Sequence, residues 1–383
     1  MNIRTEMKPH GRILITSVGS LVGWTVLTAL ESLRSRLTII GCNTLSASSN
    51  VFDCDRAYRV PNTADAQAYL DSLRAVVVQE RPDLIIPGRD EELAVLSELA
   101  ADNVCRHICV LAPPQDLVPI FNDKLETARF AAREGLPFAA TAYEAGEISA
   151  LVESCGFPLL IKPRFGGHAS KGVRIVINPA QLQAAVAGGG ALVQECLNPE
   201  TLSGLEDFAP ETGLPLDYSI RDLRYAAEWL VGGMGELLSL QGVVSRTEGP
   251  LSMHMRLTDD GSLLGVAEAY ARVLAKAGHR GVANIQGKRL ADGRFVPFEL
   301  NGRFTGSAAA RAFMGCNQVA QAVCHFLWNE SYTDAPFHPD TTTLRSTVYR
   351  AIDQNAIDTF DIEGFWSADG IVKHMPLPER NNT

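Results

Sequence analysis

The chain has 383 residues, 46% of them hydrophobic and 20% charged, with a formal net charge of −10. Such a composition suits a soluble globular protein with two or three cores and excludes intrinsic disorder. The acidic balance excludes nucleic acid as the main partner and an anionic membrane surface, so local Lys and Arg must hold any anionic ligand.

The run RILIT at 12–16 reads as a buried parallel strand. It leads through SVGSLVG at 17–23 into helical periodicity over 24–34, the opening of a doubly wound α/β unit. Gly19 and Gly23 fall short of a dinucleotide fingerprint, and no acid ends the next strand, 37–41, so the turn is expected to serve packing. Strands at 57–60 and 83–87 flank a helix over 66–79. Another helix opens within 88–92, where Asp90, Glu91 and Glu92 complement a helix dipole. A fifth strand at 107–111 completes a unit set at 1–121. The first ten residues are polar and charged, and no apolar run reaches membrane-spanning length, so a cytoplasmic location is expected. Cys105 and Cys109 bracket His107, but no second Cys/His pair follows at zinc-site spacing. The eight cysteines are therefore expected to be buried or free thiols.

From Asn122 the pattern changes. Asp123 caps a helix over 124–134 that stops at Gly135, and a second helix spans 148–154. Strands follow at 159–163, 173–177 and 191–195, with a short helix ending in the glycines at 188–190. Residues 198–222 read as an acidic loop or mobile insertion. Strand-like runs at 226–231, 236–245, 264–271 (with helical tendencies), 283–288 and 294–300 predict an antiparallel sheet, before a helix-rich 306–328. The polar tail carries one strand-like run at 344–351. The units so defined are 122–196, 197–330 and 331–383.

The chemistry concentrates in three places. Lys162 interrupts an apolar strand, where an ammonium must point away from the core or meet an anion. The loop GGHASKG at 166–172 can offer backbone N–H groups to phosphate oxygens, through Gly167 and Gly172, with Ser170 and Lys171 adding donors. Gln194 and Glu195 end the next strand, and Cys196 and Leu197 form a hinge able to pair with a purine edge. A hairpin turning at Asp292 and Gly293 would bring Gln286 near Glu299 and Asn301. Their hard oxygens suit Mg²⁺ or Mn²⁺, not zinc. Period two puts Glu299, Asn301 and Arg303 on one face, with Phe298 and Leu300 on the other. A metal bridging phosphates, with Arg303 on the transferred phosphoryl group, is what phosphoryl transfer needs. Ser307 and Arg311, just beyond, could hold a substrate carboxylate.

Read in order, NDK (122–124), GFPLLIKPR (156–164), the glycine loop, VQE (193–195), NIQ (284–286), FELNGRFTG (298–306) and GCN (315–317) resemble the ATP-grasp superfamily. The resemblance runs from 13 to 327 and is nearest to the carbamoyl-phosphate-synthase-large-subunit-like ligases. It implies a mixed α/β and α+β fold: a Rossmann-like pre-ATP-grasp domain followed by a two-lobed ATP-grasp fold. It also implies that Lys124 and Lys162 touch phosphates, that Glu195 and Leu197 touch adenine, and that Gln286, Glu299 and Asn301 bind Mg²⁺. Arg303 would touch phosphate and Arg246 would face the acyl phosphate. The implied chemistry is an EC 6.3-type ligation of a small carboxylate to an amine, with ATP yielding ADP and phosphate, in a possible homodimer. A nucleotide-binding protein without turnover and a bicarbonate-activating ligase are the alternatives; the intact Gln286, Glu299 and Asn301 set weighs against the first. Two positions depart from the pattern. Gly302 stands where the family has proline, and the ribose-contacting acid has no clear counterpart, Arg224 falling near it with Asp217 and Asp222 as substitutes.

Overall fold

A computed structural model describes residues 10–166, 171–198, 211, 213–216, 223–248, 251–336, 341–346 and 350–369. Three sheets organise them. The first has six strands in the order Phe365–Ser367, Arg56–Arg59, Leu37–Asn43, Gly11–Ile15, Leu84–Ile86 and Cys109–Val110. Its five N-terminal strands are parallel. Their central residues are buried and mostly apolar, because helices cover both faces. Ile13 and Ile15 pack with Val26, Val319 and Val323 on one side. On the other, Leu14, Ile40 and Tyr58 meet Tyr69, Leu73 and Leu96. The first helix, Leu21–Ala29, starts earlier than its periodicity suggests because Ser20 accepts the Gly23 N–H at 2.9 Å and caps it. A 3₁₀ turn, Glu31–Arg36, takes the remainder of the expected span.

The second sheet is antiparallel, in the order Leu214–Pro215, Arg174–Val176, Leu159–Pro163, Ala191–Glu195 and Thr141–Ala142. Helices Ala145–Cys155 and Pro179–Val186 cover it through Leu151 and Leu182. Most of the insertion expected at 198–222 lies outside the described residues; Leu214–Pro215 pairs with Arg174–Val176.

The third sheet, also antiparallel, runs Phe295–Asn301, Gly281–Arg289, Leu223–Val231, Leu237–Glu248, Leu251–Thr258 and Thr343–Leu344. One expected strand is corrected here. Residues 264–271 belong to the helix Gly261–Lys276, whose Leu263, Ala267, Tyr270, Ala271 and Leu274 recur every three or four residues and are buried under the sheet. Leu251–Thr258 supplies the strand instead.

The tail joins two sheets. Thr343–Leu344 extends the third, and beyond the helix Gln354–Glu363, which the sequence reading missed, Phe365–Ser367 pairs antiparallel with Arg56–Arg59 of the first. Of the described residues in the run expected at 344–351, Leu344 alone is in a strand. Phe365 is buried with its ring centroid 5.0 Å from that of Tyr58. Phe365→Ala should therefore cost roughly 3–5 kcal/mol, read as a shift in urea-unfolding midpoint. The eight cysteines are free thiols, five of them buried. Among the described residues no helix is long and apolar enough to cross a membrane.

Candidate active site

A cavity of about 660 Å³ opens between the three sheets, and Ser20, Asp90, Lys162, Gln194, Glu299 and Arg303 are among the residues on its wall. At its centre is the hairpin of Gly281–Arg289 and Phe295–Asn301, where Gln286 stands opposite Glu299 and Asn284 opposite Asn301. The register breaks after Gln286: Gly287 pairs with Pro297, so Phe298 has no counterpart. Such a bulge lets neighbouring residues share a face. Phe298 therefore reaches the cavity with Glu299, against the simple alternation, and its ring centroid lies 4.7 Å from Lys162 Nζ. Leu300 remains buried in the core.

Lys162 is 7% exposed and donates to Gln194 Oε1 at 2.5 Å, while Gln194 Nε2 donates to Thr141 Oγ1 at 2.9 Å. Burial pulls the Lys162 pKa down to about 8, a drop that the Glu299 carboxylate limits. For Glu299 burial pushes the other way, but Arg303, Lys162, Lys124 and Arg224 outweigh it and leave its pKa lowered. The site thus keeps one carboxylate ionised among several cations. Lys124, at the start of helix Lys124–Arg133, donates to the Gly166 carbonyl at 2.6 Å, and burial lowers its pKa too. Asp123 caps that helix and holds Arg164 through Nε and Nη2 at 2.6–2.9 Å. The entry to the glycine loop is thereby tied to the helix start. Gly167 and Ser170 lie outside the described residues; Lys171 and Gly172 are exposed. Glu195 and Leu197 line the cavity, and the Glu195 carboxylate accepts the Ala140 N–H at 2.7 Å.

Arg303 donates to Asp90 Oδ2 through Nε and Nη2 at 3.1 and 2.7 Å, and to Asn301 Oδ1 at 3.3 Å. Asn284, fully buried, donates to the Arg303 carbonyl at 2.8 Å and accepts from Asn301 Nδ2 at 3.3 Å. That contact turns the Asn301 amide so that its oxygen faces Arg303. The acidic run does open a helix, since the 3₁₀ turn Asp90–Glu92 continues directly into Leu93–Ala100, but two of its acids also have partners in the site. Asp90 grips Arg303. Glu92 is buried and accepts from Thr16, Ser17, Tyr69 and the Gly88 and Arg89 amides. Three acids straight after a strand and glycine were the available signal. A Cβ on Gly88 would fall 2.1 Å from the Thr16 carbonyl, so only glycine lets these two loops meet. Asp90→Ala should strand the Arg303 guanidinium in a wall where it is 11% exposed. We expect a stability loss of roughly 3 kcal/mol by urea unfolding, partly recovered with Mg²⁺-ADP as phosphate replaces the carboxylate.

Three further positions differ from expectation. A Cβ at Gly302 would sit 3.0 Å from Phe121 Cγ and 3.3 Å from Leu93 Cδ1, which leaves no room for a proline ring. Arg246 is exposed, and the alternate residues Ser245 and Thr247 line the cavity while it does not. Arg89, Arg224 and Arg345 are the further arginines on the wall. Ser307 lines the cavity, but Arg311 is fully buried behind it. Asp217 and Asp222 lie outside the described residues. For a metal, Gln286, Glu299 and Asn301 offer one carboxylate and two amide oxygens on one cavity wall. Among the described residues no group of three or more His, Cys, Asp or Glu could hold a metal. A set so poor in charge fits a hard cation whose shell phosphate oxygens complete.

Two lobes closing on this cavity behind a parallel-sheet unit define the ATP-grasp fold, and the chain has that fold. Residues 13–111 match the family model described as PylC-like, N-terminal domain. An N5-carboxyaminoimidazole ribonucleotide synthetase solved as an ADP complex superimposes with a TM-score of 0.63 at 15% identity, covering 86% of this chain and 80% of that one. The L-amino acid ligase from Bacillus licheniformis gives 0.60 at 17% identity, covering 88% and 79%. In sequence, the chain is 31% identical over 193 residues to the formate-dependent phosphoribosylglycinamide formyltransferase of Burkholderia pseudomallei (strain 668). That alignment takes in 48% of this chain and 45% of the relative, so the chain spans about half the length of the curated relatives it matches.

Proposed function

We propose that the protein is an ATP-dependent ligase that activates a carboxylate as an acyl phosphate and joins it to an amine, releasing ADP and phosphate. One observation carries this reading: Lys124, Lys162, Gln286, Glu299, Asn301 and Arg303 converge on a single cavity. Lys124, Lys162 and the loop bearing Gly167, Ser170, Lys171 and Gly172 would hold the ATP phosphates, with adenine against Glu195 and Leu197. Gln286, Glu299 and Asn301 would hold Mg²⁺ or Mn²⁺, which neutralises phosphate charge when bound. Arg303, aimed by Asp90 and Asn301, would stabilise the transferring phosphoryl group. The substrate carboxylate oxygen attacks the γ-phosphorus and ADP leaves. The amine nitrogen then attacks the acyl carbon, and phosphate departs with the electrons of the C–O bond. Arg246, exposed on the outer face, is left out of this scheme. The boundaries 1–121, 122–196, 197–330 and 331–383 belong to the same reading, as do a cytoplasmic location and a homodimer.

The relatives' names point the same way, since formate and amino acids are carboxylates. Purified protein with Mg²⁺-ATP should release ADP only when a suitable carboxylate and amine are both supplied from a panel of amino acids, small acids and amines. Nucleotide binding with no substrate-dependent ADP release would sink the proposal. Release stimulated by bicarbonate alone would move it to carbamate chemistry.

A further inference from the structure

Behind the far wall of the cavity lies a charged pair that the scheme above does not use. Glu228 on strand Leu223–Val231 and Arg311 on helix Ala308–Phe313 are both fully buried, with Arg311 Nη1 3.9 Å from Glu228 Oε2. Among the described residues, Glu228 Oε1 and Arg311 Nε and Nη2 have no hydrogen-bond partner. A pair so incompletely satisfied is a poor stabiliser, because desolvating two charges outweighs an imperfect contact. Its good contacts go to one loop. Glu228 Oε2 accepts the Thr305 N–H at 2.6 Å, and Arg311 Nη1 donates to Thr305 Oγ1 at 2.5 Å and Ser307 Oγ at 2.8 Å. Thr305, Gly306 and Ser307 form part of the cavity wall.

The directions of the hydroxyl protons follow from counting lone pairs. A guanidinium only donates, and a hydroxyl has one proton and two acceptor positions. Thr305 Oγ1 accepts from Arg311 and from the Ser307 N–H at 3.3 Å, so both positions are filled. Its proton must then go to Ser307 Oγ, 2.9 Å away. Ser307 Oγ in turn accepts from Arg311 and Thr305, and its own proton has the cavity left to it. Next to it, Arg345 donates through Nη2 to the Gly306 carbonyl at 2.5 Å and lines the same wall. Arg345 has no ion-pair partner among the described residues, and burial lowers its pKa, the direction for a cation kept without a counter-ion.

We propose that Ser307 and Arg345 form a carboxylate-binding subsite beyond Arg303, and that Glu228 and Arg311 are positioning residues that make Ser307 a one-way donor. The subsite rests on the ligase reading and adds to it a free carboxylate on one substrate. A carboxylate accepts both hydrogen bonds and supplies the charge that Arg345 lacks, whereas its ester supplies neither as well.

The test is calorimetric titration, in saturating Mg²⁺-ADP, of α-amino acids, small carboxylates, their methyl esters and inorganic phosphate. At least one carboxylate should bind, with its methyl ester at least tenfold weaker. S307A and R345A should each weaken it about tenfold or more with Mg²⁺-ADP affinity unchanged. R311M should match S307A, R311K should recover part of the loss, and S307A/R311M should be no weaker than R311M, since Arg311 acts through the hydroxyl. Where R311M fails to fold, S307A and R345A decide the matter. Carboxylate binding unaffected in both, phosphate as the sole ligand, or no carboxylate bound by the wild type would each overturn the subsite while leaving Mg²⁺-ADP binding, and the ligase reading, in place. A wild type that does not bind Mg²⁺-ADP would overturn both.

Discussion

Glu299→Gln is expected to lower turnover by about a thousandfold while leaving the fold close to intact, the scale seen when a group fixing transition-state charge is removed. Glu299 is the one acid among the three oxygen donors on the hairpin, and the two amides beside it cannot make up a lost negative charge. The change is nearly isosteric, so packing against Phe298 and the register opposite Gln286 should survive. It also removes the counter-charge that holds up the Lys162 and Lys124 pKa values. Substrate-dependent ADP release is one readout. The other needs no substrate: wild-type ATP affinity should rise with Mg²⁺, and that dependence should disappear in the variant. Near wild-type turnover, or an unchanged Mg²⁺ response in a folded variant, would remove Glu299 from the metal site.

Lys162→Met should weaken ATP binding by about a hundredfold, the worth of a buried charged contact to phosphate. In the unliganded protein its pKa is about 8, against an ordinary 10.5. Below pH 8 the ammonium is present and ATP meets a cation. Above it, binding must take up a proton, so wild-type affinity should fall by up to tenfold per pH unit while the variant's stays flat. The stability trend is opposite in sign. Between pH 8 and 10.5 the unfolded chain keeps this proton and the folded chain has lost it, so the unfolded state binds more protons and stability rises with pH. The burial penalty, roughly 3 kcal/mol, is fully present below pH 8. Lys162→Met should therefore be at least as stable as wild type at neutral pH while binding ATP poorly. A wild-type ATP affinity that is level from pH 7 to 9 would contradict the depressed pKa.

Several elements follow from local chemistry alone. Asp123 caps its helix as its position before Lys124 suggests, and Ala191–Glu195 and Leu159–Pro163 are strands because short apolar runs between glycines and prolines leave little else. Residues 264–271 misled because a run rich in Leu, Val and Ala fits a strand until the wider spacing of Leu263, Ala267 and Leu274 is included.

By itself the sequence determined the alternation of strands and helices in the parallel-sheet unit, and it located the lysines, the hinge and the hairpin proposed to hold phosphate, adenine and metal. These depend on caps, turns and alternation, whose causes lie within a few residues of their effects. The tertiary structure decided what stands behind them. Asp90 reaches Arg303 across 213 positions of chain, and Phe298 turns into the cavity because its partner strand is one residue short. Gly302 yields to Phe121, Arg345 comes in from the tail, Arg246 faces out, and Arg311 withdraws beneath Ser307. Each of these is set by which surfaces meet when the sheets pack. Contact between distant segments leaves no period in the sequence from which it could be read.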